Sequence, residues 1–155
     1  MLDRFILKVG GIIAIASFSL ISAPTQARDA SQCLAYAQQA AKDAATVSIC
    51  EFTGPRFSFD VEQHRLWCLN ARDQDIALEE NARLGAVDTC YRCGTYASDA
   101  IVQNAENVKR NCGGTGYQWH SDSRVHRLWC VNQHPGVVQA EKTERARLLV
   151  ACGKK

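Results

Sequence analysis

Eight cysteines set in two copies of one frame constrain this 155-residue chain more than any other feature. Cys33, Cys50, Cys68 and Cys90 match Cys93, Cys112, Cys130 and Cys152. The intervening gaps are 16, 17 and 21 residues in the first frame and 18, 17 and 21 in the second. Other residues recur with them. Tyr36-Ala37 matches Tyr96-Ala97, Thr53-Gly54 matches Thr115-Gly116, and Asp60 matches Asp122. Glu79 and Arg83 match Glu141 and Arg145, and His64-Arg65-Leu66-Trp67-Cys68 returns whole as His126-Arg127-Leu128-Trp129-Cys130. Self-similarity at this period reads as two tandem units, residues 28–91 and 92–155. The string Cys90-Tyr91-Arg92-Cys93 would in isolation suggest redox or zinc chemistry. Here Cys90 closes one frame and Cys93 opens the next.

Each unit reads as three helices, an all-α fold. Cys33, Tyr36, Ala37, Ala40, Ala41, Ala44 and Val47 keep helical spacing, as do Cys93, Tyr96, Ala97, Ala100, Ile101, Ala105 and Val108. Ser31 is the expected cap of the first helix. A Gly-containing turn follows in each unit, after which Asp60 and Asp122 are placed to cap a short second helix. A third helix is expected over about Ile76 to Cys90 and Val137 to Cys152, with Pro135-Gly136 breaking the chain before the second copy.

Helix length selects the disulfide pairing. An unbroken first helix would hold Cys33 and Cys50 about 25 Å apart, whereas bridged Cα atoms lie about 4.4–6.8 Å apart. An up-down-up path brings the end of the second helix to the start of the first, and the end of the third to the end of the first. The expected bridges are therefore Cys33–Cys68, Cys50–Cys90, Cys93–Cys130 and Cys112–Cys152. Each closes a loop that adds about 3–4 kcal/mol in the chain-entropy view, which a unit of this size needs because its core is small.

Disulfides imply an oxidising compartment, and the N-terminus agrees. Residues 1–27 read as a signal peptide, with Arg4 and Lys8 ahead of an apolar stretch from Val9 to Ile21 and a cleavage site after Ala27. The apolar stretch is shorter than the ~20 residues of a membrane span, so no membrane insertion is expected after cleavage. The formal charge of +2 with no basic cluster excludes an ordinary nucleic-acid binder, and 46% hydrophobic content excludes disorder.

The pattern Cys-x-x-Tyr-Ala, Cys, Gly-Pro-Arg-aromatic, His-x-x-Trp-Cys resembles a cysteine-framed tandem repeat of exported bacterial proteins. The resemblance spans nearly all of residues 33–152 and implies a bacterial, periplasmic setting; it assigns no catalytic residue. The second unit departs from it, with Tyr117-Gln118-Trp119 where the first has Pro55-Arg56-Phe57.

The candidate binding residues are Arg56, Phe57, Tyr117, Gln118, Trp119 and His120, aromatics and polar groups in the Gly turns that suit stacking on a sugar or anchoring a protein. The same aromatics could instead cover a small core. Loss of a ligand on Trp119→Ala with the fold retained is the expectation for a glycan site. His64 and His126 read as packed histidines bonded to nearby backbone. A hydrolase built on His126 with Asp122, and a metal site using His120 and His126 near His134, are the alternatives. Glu79 with Arg83, and Glu141 with Arg145, read as surface pairs one helical turn apart. No catalytic motif and no cofactor signature is present. The leading expectation is an exported, non-enzymatic protein binding an envelope glycan or a protein partner, with its oligomeric state open.

Overall fold

A computed structural model describes residues 28–153; the signal-peptide expectation, residues 1–27, lies outside them. The described residues form five α-helices: α1 (Ala30–Val47), α2 (Val61–Asn70), α3 (Asp73–Lys109), α4 (Ser123–Val131) and α5 (Pro135–Cys152). The described residues contain no strand, and the fold is all-α.

Helix starts follow local chemistry. The Asp60 carboxylate accepts from the backbone N–H groups of Glu62 and Gln63, and Asp122 accepts from Arg124. α1 departs from expectation: Asp29 caps it, accepting from Ser31 N–H at 2.8 Å, so Ser31 is inside the helix. α5 begins at Pro135, with the His134 side chain accepting from Gly136 N–H; Pro suits this first position because its missing N–H would have no helical partner.

The larger correction concerns helix number. Six helices were expected and five are found among the described residues, because the third helix of the first frame and the first helix of the second run on as the 37-residue α3. Nothing in Asp88–Arg92 breaks a helix. The Cys-x-x-Cys string is thus helical, which puts Cys90 and Cys93 one turn apart on one side of α3, where they bridge to different partners.

Those bridges are Cys33–Cys68, Cys50–Cys90, Cys93–Cys130 and Cys112–Cys152, with Cα separations of 5.4–5.8 Å. No cysteine is free. The first three bridges lie in small cores. Cys33 and Cys68 pack with Tyr36 and Ala37. Cys50 and Cys90 pack with Val47, and Cys93 and Cys130 with Tyr96. Ala37, Ala40, Ala44, Ala97 and Ala100 are buried, so α1 and the second half of α3 offer flat faces to their neighbours. α1 packs on α2 and α3, and α3 on α4 and α5. The two frames also touch: Arg124 Nε donates to Glu51 at 2.6 Å, and Arg127 donates to the Ile49 carbonyl at 3.2 Å.

Candidate binding site

Each frame is organised around a buried arginine. Arg83 is 2% exposed and Arg145 1%, so the expectation of surface Glu–Arg pairs is corrected: another helix covers both. Arg83 Nη1 donates to the Tyr36 hydroxyl at 2.8 Å, with its guanidinium carbon 4.7 Å from the centre of the Tyr36 ring. Arg145 repeats this with Tyr96, at 3.0 Å and 5.0 Å. Burial raises the pKa of both tyrosines, against the opposing pull of the arginines.

On this base sits an aromatic platform. Tyr36 stacks on Trp67 at 5.6 Å between ring centres, and Tyr96 lies 5.5 Å from Trp129. The histidine of the recurring string closes the edge. His64 Nε2 lies 2.9 Å from the carbonyl oxygen of Ser58, and His126 Nε2 lies 2.9 Å from that of His120. A carbonyl only accepts, so each Nε2 carries the proton and donates. These bonds tie the Gly turn to the short helix, and both rings meet the tyrosine edge-on. Desolvation lowers the pKa of His126.

The first frame opens this platform to solvent. A cleft of about 490 Å³ is lined by Tyr36, Trp67, Phe57, Gln63 and the pair Arg56–Glu79. The Arg56 fork meets Glu79 at 2.7 and 2.9 Å, a two-bond geometry that fixes both groups. Trp67 remains 39% exposed. Phe57 leans on Phe52 at 5.1 Å over the Cys50–Cys90 bridge, so its ring is partly a core residue. Gly54, at φ +104°, makes the turn that carries Pro55-Arg56-Phe57.

Of the residues singled out from sequence, Arg56 and Phe57 meet here. Tyr117, Gln118, Trp119 and His120 stand in the other frame. Gln118 and Trp119 line a separate cavity of about 350 Å³ with Asn107 and Leu148. Trp119 is 7% exposed, wedged against Gly114; its removal would take core from the second frame, so Trp119→Ala is not the clean test expected of it. The Tyr117 ring lies 5.9 Å from Trp129. His120 Nδ1 accepts from Asp122 N–H. Sequence reasoning passed over Tyr36, Gln63, Trp67 and Glu79. The signal was present in the recurring Trp, one helical turn beyond the histidine and on its face.

The alternatives find little geometry. Asp122 is engaged as the cap of α4 and His126 Nε2 by the His120 carbonyl, so the acid–base pair of a hydrolase is not assembled. His134 caps α5, and among the described residues no three His, Cys, Asp or Glu side chains are grouped to hold a metal ion. Nor does any of them form a helix long and apolar enough to cross a membrane. The chain matches no family model, no curated protein and no solved structure.

Proposed function

We propose that the mature chain is an exported, non-enzymatic binding protein of the bacterial envelope, and that the cleft of the first frame holds an envelope glycan. One observation carries this reading: the half-exposed Trp67 on Tyr36, flanked by the Arg56–Glu79 pair. A pyranose has an apolar face that an exposed indole covers and a rim of hydroxyls that a guanidinium–carboxylate pair meets as donor and acceptor together. The bridges Cys33–Cys68 and Cys50–Cys90 brace the elements around the cleft, which lowers the ordering cost of binding. Export accords with four disulfides and no free thiol.

The test is a titration of the oxidised mature protein with soluble envelope glycan fragments, read by calorimetry. Trp67→Ala and Arg56→Ala should each weaken binding about tenfold or more, the loss of roughly 1.4 kcal/mol, with helix content unchanged. Capture of an envelope protein, with no glycan bound and no sensitivity to Trp67, would replace the glycan by a protein partner. Export is tested by sequencing the N-terminus of the periplasmic form, which should begin at Arg28.

A further inference from the structure

We infer that the second frame is the same cleft closed by Tyr117, so that the chain holds one glycan and residues 117 and 118 set that number. The inference rests on the reading of the first-frame cleft given above.

The backbones of the two turns agree. Gly54 and Gly116 have φ of +104° and +92°. Each is followed by a 3-10 turn in which the residue three positions on donates to the glycine carbonyl at 3.0 Å, Phe57 to Gly54 and Trp119 to Gly116. The next residue donates to the first of the turn, Ser58 to Pro55 at 3.2 Å and His120 to Tyr117 at 3.3 Å. The histidine bond and the tyrosine–tryptophan platform are matched as well. What differs is the side chain that the first position of the turn sends toward the platform. Pro55 leaves Trp67 open, whereas the Tyr117 ring tilts onto Trp129 at 5.9 Å. Trp129 is part-buried where Trp67 is exposed, and Tyr117 itself meets solvent.

The polar pair is withdrawn from the second frame too. Gln118 stands where Arg56 does and lines a different cavity. Glu141, the counterpart of Glu79, accepts from the Tyr96 hydroxyl at 2.7 Å and from Arg145 at 2.6 Å. A ligand arriving there would meet neither an open indole face nor an available ion pair. Two substitutions copied from the first frame should reopen the site: Y117P, which the turn accepts because Pro55 already occupies this backbone position, and Q118R, which restores the guanidinium.

The probe is a β-1,4-linked tetramer of N-acetylglucosamine, read through the indole N–H resonances of the oxidised mature chain. The tetramer should move the Trp67 signal and leave Trp129 still; in Y117P/Q118R it should move both, with a second equivalent bound. Movement of both in the parent chain would overturn the inference, as would a still Trp129 in the double variant while Trp67 responds. Silence at Trp67 throughout would defeat the glycan reading instead. Closure is then judged without a ligand, by acrylamide quenching in a W67F background. There Y117P should raise quenching, because Trp119 is buried and Trp129 becomes uncovered; unchanged quenching would overturn the closure itself.

Discussion

The two frames build the same buried arginine with different numbers of charges. In the second, Arg145 is met by Glu141 at 2.6 Å and by the neutral Gln103 at 2.7 Å. In the first, Asp43 takes the place of Gln103 and lies 3.5 Å from Arg83, while Glu79 turns away to Arg56 and is left 3.9 Å from Arg83. The added acid, Asp43, and the added base, Arg56, therefore appear together: two cations face two anions in one frame, one faces one in the other. Both networks remain neutral, as a low-dielectric interior demands. Of the two added groups, Arg56 stands at the cleft edge, paired with Glu79, and Asp43 stays beside Arg83. A second exchange follows the same logic by volume. Phe52 packs on Phe57 in the first frame, and Gly114 packs under the larger Trp119 in the second. Asn107 then fills the remaining gap, its amide bonded both ways to the Gly114 backbone at 2.9 Å.

The charge comparison is broken most sharply at the arginines. Arg145→Met should destabilise by about 3–5 kcal/mol, because it strands Glu141 in the interior, where that side chain is 9% exposed. Arg83→Met should lose less, since Glu79, 20% exposed, keeps Arg56, and Asp43, 13% exposed, keeps the Gln39 amide at 2.6 Å. Urea unfolding of the oxidised variants measures both, and equal losses would remove the claim that Arg56 shares Glu79. Removing Arg56 first should bring the effect of Arg83→Met up toward that of Arg145→Met.

The volume exchange is tested at Gly114. A Cβ there would lie 2.6 Å from the Trp119 ring and 2.7 Å from the Asn107 amide oxygen, so Gly114→Ala should lose about 1–3 kcal/mol by overpacking. Trp119→Phe in the same chain should recover part of that loss, a coupling that a double-mutant cycle reads directly.

A dependence on pH is expected at His126. Burial holds the His126 pKa below its ordinary value, so the neutral ring is favoured in the folded state. Its contribution is complete above the unfolded pKa of about 6.5 and is lost as pH falls through that value toward the folded one. Stability measured from pH 7 to 5 should fall, and His126→Gln should remove that part of the slope. The smallest effect is expected at Gly113, which has φ +77° and open space around a would-be Cβ. Gly113→Ala should cost only about 1 kcal/mol, because Glu51 already takes the matching left-handed position at φ +56° in the first frame.

Much of the fold was legible. Asp60 and Asp122 declared the starts of α2 and α4 because a capping carboxylate acts on the N–H groups two or three residues ahead. The bridges were legible because a helix cannot bring its two ends together. The continuity of α3 was hidden by the repeat itself: a frame boundary suggests a chain break, although helix propensity passes through it undisturbed. Arg83 and Arg145 were misjudged because a Glu–Arg pair one turn apart looks the same in sequence whether water or another helix covers it. Their recurrence beside Tyr36 and Tyr96 was the available sign. Trp119 and Trp67 could not be ranked, since exposure depends on what the fold packs against each ring.

By itself the sequence determined the helical class, the caps and the cysteine pairing, for each rests on interactions within a few residues or on the fixed length of a helix. Tertiary structure alone decided that the arginines lie inside, that Trp67 stands open where Tyr117 covers Trp129, and that Arg56 reaches Glu79. Those outcomes depend on which surfaces meet across the fold, and side chains of equal local preference become core or cleft according to what is packed against them.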